Sequence, residues 1–178
     1  MNTLLATFTS RLALALVALA LLGQSSSQAQ NLYVANNSGG TVTDYNATTG
    51  GAPAVTISSG VSGPSALLLS GNNLYVANVS ANSVTEYNAT TGAPLLTIST
   101  GASSAPSALA LSGNNLYVAN YGVNTVTEYD ATAGGAPTLT ISSGVNGPLS
   151  LAIAPEPGSW LLFAGGLGLV GGFRRRRA

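Results

Sequence analysis

Three carboxylates recur in this chain at an unvarying interval: Asp44, Glu86 and Glu128 stand 42 residues apart, each two residues after a valine, Val42, Val84 and Val126. Side chains two apart in an extended segment share one face. Acids collected by such a repeat are therefore candidates for holding a divalent cation such as calcium, or a row of sugar hydroxyls. A carboxylate that satisfies backbone donors at a strand end explains the same spacing without a ligand. Tyr33, Tyr75 and Tyr117 follow the same interval and offer either a carbohydrate-stacking surface or core packing with a wet hydroxyl. Ser and Thr are plentiful, but His, Cys and Lys are absent. That excludes disulfides, cysteine-based zinc sites and a histidine general base. The acids of the chain body are too dispersed to form a glycosidase pair. The chemistry thus points to a non-enzymatic role with no cofactor; the alternative is a lyase or hydrolase acting on an extracellular polymer.

The elements that must position these residues are short strands. The stretch "LYVAN" appears at residues 32–36, 74–78 and 116–120, and Tyr45, Tyr87 and Tyr129, like Pro64, Pro106 and Pro148, keep the 42-residue register. In the second repeat four apolar or alternating runs stand out: 65–70 (SALLLS), 73–78 (NLYVAN), 83–88 (SVTEYN) and 95–99 (LLTIS). Between them lie Gly71-Asn72, Asn82 and the stretch "ATTGAP", which supply positive φ and proline stiffness. A period of about 40–45 residues with this density of Gly, Thr and Asn is what one four-stranded propeller blade needs. The expected fold is all-β: three blades over residues 30–154, a partial propeller. In the later copies the first run carries Ala110 and Ala152 between larger residues, as suits an innermost strand where blades converge. The sequons at Asn36, Asn46, Asn78 and Asn88 read as turn chemistry.

Strand by strand, the repeats run bcd, abcd, abcd, a, the surplus first strand being "PLSLAIA" at residues 148–154. Propellers have at least about four blades, so three do not close a ring alone. A homodimer, in which each surplus strand completes the partner's first blade, is the expected route to six.

The two ends read as processing signals. Arg11 precedes an apolar run at 12–23, and Ser27 and Ala29 place small residues at the −3 and −1 positions of a cleavage site. Residues 1–29 are thus expected to be a signal helix, cut between Ala29 and Gln30. At the other end, Pro155, Glu156 and Pro157 precede an apolar segment, Ser159 to Phe173, and then Arg174, Arg175, Arg176 and Arg177. As a helix that segment spans only about 22 Å at ~1.5 Å per residue, short of the ~30 Å hydrocarbon core. The arginines hold their end in the cytoplasm and put the body across the inner membrane.

This order of Pro-Glu-Pro, short apolar helix and basic cluster over residues 155–178 resembles the PEP-CTERM sorting signal. The resemblance implies an exosortase-type processing enzyme in a Gram-negative bacterium, transient residence in the inner membrane, removal of the arginines, and delivery to the cell surface or extracellular matrix. Residues 31–154 resemble NHL and YVTN-type propeller repeats. Among enzymes, that appearance is nearest the streptogramin-lyase type, which depends on histidine, a residue this chain lacks.

The nominal net charge of zero conceals a segregation: the five basic residues are Arg11 and Arg174 to Arg177, while the body carries only Asp44, Glu86, Glu128 and Asp130. A body with acids and no base does not neutralise phosphates, so nucleic acid is excluded as a partner. The expected partners are an extracellular polysaccharide or protein.

Overall fold

The computed structural model describes residues 30–154. The expected leader over 1–29 and the sorting segment over 155–178, including Pro155, Glu156, Pro157 and Arg174 to Arg177, lie outside the described residues. The described part is all-β, with eleven strands in three antiparallel sheets. The first sheet holds β1 (Asn31–Asn36), β2 (Thr41–Asn46) and β3 (Val55–Ile57). The second runs β4 (Pro64–Ser70), β5 (Asn73–Asn78), β6 (Ser83–Asn88), β7 (Pro94–Ser99); the third runs β8 (Pro106–Ser112), β9 (Asn115–Asn120), β10 (Thr125–Asp130), β11 (Gly134–Ile141). Every sheet is a meander in sequence order, and β4 lies beside β8 where the second and third sheets approach.

Local chemistry accounts for several of the reversals. β4 and β5 are joined by Gly71 and Asn72, with Gly71 at φ 57°. A positive φ at the first central residue alone is the type II′ hairpin, which matches strand twist and favours glycine there. After β6, Asn88 Oδ1 accepts from the Thr90 and Thr91 backbone N–H at 3.1 and 3.0 Å. Asn46 does the same with Thr48 and Thr49, and Asp130 with Thr132 and Ala133. These side chains mimic a backbone turn. Ser65 sits at a register shift between Pro64 and Ala66, and Ser107 at the same place between Pro106 and Ala108.

The sheets stack face to face, and the core is two seams rather than one centre. Val42 and Ile57 of the first sheet pack with Leu74, Val76, Tyr87 and Ala89 of the second. Tyr75, Val84 and Ile98, from the second sheet's other face, pack with Leu116, Val118, Tyr129 and Ala131 of the third. Period-2 alternation makes this possible, since b and c strands carry apolar residues on both faces.

Two expectations need correction. Residues 148–154, expected as a strand, form no ladder here: among the described residues no strand is paired with them, and an extended segment becomes a strand only through another segment's hydrogen bonds. Asn36, Asn46, Asn78 and Asn88, expected in turns, end strands β1, β2, β5 and β6, Asn46 and Asn88 also building the turn that follows. The Asn78 amide is wholly buried and donates to Val76 O (3.3 Å) and Thr85 Oγ1 (3.2 Å). It spans two strands from inside the blade, because a buried amide must find partners for its donors.

Candidate functional site

Each repeat acid lies in mid-strand on the third run of its blade, directly opposite that blade's repeat tyrosine: Asp44 faces Tyr33, Glu86 faces Tyr75, Glu128 faces Tyr117. Cross-strand partners project to the same side of the sheet, so acid, tyrosine and valine share one face, the face that meets the next blade.

The three environments differ. Asp44 is 4% exposed; Asn31 Nδ2 donates to its Oδ2 at 3.0 Å, while its Oδ1 has no partner. Burial holds its carboxyl above the ordinary range because the charged form has lost water. Glu86 is also buried, and burial raises its pKa, against the pull of donors on Tyr75 and Asn73 that favour the anion. The Tyr75 phenol is raised first by burial and then by the nearby Glu86 charge. Glu128 is only half-buried, and its Oε1 accepts from Thr138 Oγ1 at 3.0 Å.

The acids are thus distributed one per blade, Asp44 and Glu86 in the seams and Glu128 on the third blade's open face. No group of three His, Cys, Asp or Glu side chains among the described residues could hold a metal ion. Their recorded partners are side chains from the same blade, so the backbone-donor explanation at a strand end is replaced by side-chain hydrogen bonding in mid-strand. Asp130 is the acid that does bind backbone donors; the Thr132 hydroxyl, and then those donors, hold its pKa below the ordinary value.

The tyrosines likewise belong to the seams. Tyr75 is 4% exposed, and the Tyr33 hydroxyl reaches across to Ala89 O of the next blade at 3.1 Å. Tyr87, from the facing side, donates to Ser59 O at 2.8 Å. These side chains present no continuous stacking surface. Tyr117 is the exception, because its blade has no following sheet among the described residues. It lines a cavity of about 620 Å³ with Ala110, Val126, Ile141 and the segment Leu151–Ala154. Spacing alone does not mark this open face; the surplus run at 148–154 is the one sequence signal that points to it. Of the expected cleavage pair, Gln30 is described and exposed just ahead of β1, its carbonyl accepting from Ala47 N at 2.7 Å, while Ala29 lies outside the described residues.

Stacked three- and four-stranded meanders, with the first strands of the second and third sheets side by side, define a β-propeller-like repeat fold. Solved structures share it. The chain is similar to a chain of hydrazine synthase from Kuenenia stuttgartiensis, with 25% identity and a TM-score of 0.60, over 67% of this chain and 34% of that one. It is similar to the computationally designed Ika4 protein, at 18% identity and a TM-score of 0.56, over 74% of this chain and 84% of that one. It is also similar to streptogramin B lyase, at 12% identity and a TM-score of 0.55, over 70% of this chain and 41% of that one. The chain thus spans about a third of the hydrazine synthase chain it matches. No family model and no curated protein sequence matches it.

Proposed function

We propose that this chain is an exported, surface-sorted propeller-like repeat protein with a non-enzymatic role, structural or ligand-binding, in the extracellular matrix of a Gram-negative bacterium. The observation that carries the non-enzymatic part is where the recurring polar groups lie. Asp44, Glu86 and two of the three repeat tyrosines are buried in or reach across the seams between blades, spread along the packing surfaces instead of converging on one reacting centre. General acid–base work needs positioned groups within reach of one proton, and no histidine exists in the sequence to serve as one. Export and sorting rest on the sequence of the two ends. Cleavage after Ala29 releases the body, and an exosortase-type enzyme removes the segment that follows Pro155, Glu156 and Pro157.

Mass spectrometry of the surface fraction of the native host tests the sorting. The expected protein begins at Gln30 and lacks Arg174 to Arg177; an intact C-terminal peptide on the surface-exposed protein refutes it. Incubation with extracellular polysaccharides and peptides tests the activity. Turnover that vanishes in Glu86→Gln or Glu128→Gln would establish the lyase or hydrolase alternative.

A further inference from the structure

We propose that two copies of this chain close head to tail into one six-bladed ring, with residues 148–154 of each copy serving as the innermost strand of the other's first blade. The inference is independent of the sorting and activity readings above.

The partner surfaces are identified by the seams the chain already contains. In each seam one blade supplies a face with Tyr, Val and Ile, and the next supplies a face with Leu, Val and Tyr. At the two ends of the stack each half stands without its complement. Leu74 and Leu116 are 0% exposed, while their equivalent Leu32 is 52% exposed on the first blade. Val84 and Ile98 are 1% and 2% exposed, but on the third blade Ile141 is 42% exposed and Val126 only half-buried. The end faces are therefore the two halves of the interface that is buried twice within the chain. A second copy is the occupant whose faces match both.

The segment 147–154 is already placed for this exchange. Ser65 Oγ donates to Pro106 O at 2.6 Å, where the next blade's first strand begins, and Ser107 Oγ donates to Pro148 O at the same 2.6 Å. Asn82 Oδ1 receives the Ala105 N–H at 3.0 Å, and Asn124 Oδ1 receives the Gly147 N–H at 2.7 Å. The third blade thus holds residues 147–148 as the second holds the start of β8. Past that latch the segment has no ladder, and Leu149 and Ile153 are 69% and 43% exposed. On the first blade, the inner edge of β1 pairs with no described strand, and an open edge templates a further strand. The register follows from the other blades. Ala66 pairs with Ala77 and Ala108 with Ala119, so Ser150 lies opposite Ala35 of the second copy, with Leu151 opposite Val34.

Closure fixes the number of copies. Propellers have about four to eight blades, and the three blades of the described residues taken twice make six, two chains about a two-fold axis along the ring. Neither end face carries a basic residue. Glu128 enters the new seam where Asp44 and Glu86 sit in the existing ones.

The test uses the full chain, purified in mild detergent, with Ala35→Cys and Ser150→Cys introduced into a sequence that has no cysteine. Oxidation, or a short thiol cross-linker, is expected to give one reducible covalent dimer. A mixture of the two single-cysteine proteins should also cross-link, while either one alone should not. The unmodified chain should scatter as about twice its 17.6 kDa. A monomeric mass for the unmodified chain overturns the proposal, as does the absence of cross-linking in a variant with unchanged circular dichroism. A ladder of trimers and higher species refutes closure by two, and a cross-link confined within one chain shows that the segment returns to its own first blade.

Discussion

Leu74 and Leu32 are the same residue in the same "LYVAN" context, and truncating each to alanine should give very different penalties. Leu74 is 0% exposed in the seam with Val42 and Ile57, so Leu74→Ala removes a fully buried side chain and leaves a cavity between two sheets, at a cost of about 2–5 kcal/mol. Leu32 keeps 52% of its exposure. Only about half of the ~1.5–3 kcal/mol for burying a leucine is then at stake, with little cavity, so Leu32→Ala should cost roughly 1 kcal/mol. Urea unfolding followed by far-UV circular dichroism measures both, at protein concentrations low enough to hold the chain monomeric. As concentration rises and copies associate, the Leu32→Ala penalty should grow towards that of Leu74→Ala. Equal penalties at the lowest concentration, or a Leu74→Ala cost under about 1 kcal/mol, would refute the assignment of burial to the seams.

Tyr87→Phe removes the 2.8 Å bond to Ser59 O across the first seam and should lower stability by about 1 kcal/mol, whereas Tyr45→Phe, on the open face, should leave the melting temperature nearly unchanged. Asn78→Ala strips a wholly buried amide from Val76 O and Thr85 Oγ1 and should cost about 1–3 kcal/mol in the same unfolding assay. Asp44 and Glu86 have raised pKa values, so the folded state holds their protons more tightly than the unfolded chain. Their effect on stability is therefore a fall as pH rises from the ordinary values of 3.8 and 4.5 up through the raised ones. Melting temperatures recorded against pH should show that fall weakened in Asp44→Asn and Glu86→Gln. Asp130, whose pKa is lowered, has the opposite sign: its contribution is present above 3.8 and is lost as pH falls through the depressed value, and Asp130→Asn should remove that loss.

The strands and their turns were legible in the sequence because their causes are local. Gly71-Asn72 makes a hairpin wherever it stands between two extended runs, the Asn88 turn needs only the two amides that follow it, and the 42-residue period repeats both. The second repeat's expected runs coincide with β4 to β7 to within one residue at the proline-led ends. What local chemistry does not contain is the neighbour. Asp44, Glu86 and Glu128 have equivalent surroundings in sequence, yet two are buried in seams and the third is half-open, because only the first two blades have a following sheet among the described residues. The sequon at Asn78 looks like turn chemistry, but β6 lies close enough for Thr85 to take its amide inward. Residues 148–154 have the composition of an innermost strand and remain without a ladder, since a strand is completed by the hydrogen bonds of another segment. Which face meets which, and which identical leucine stays wet, is decided by contacts between residues dozens of positions apart.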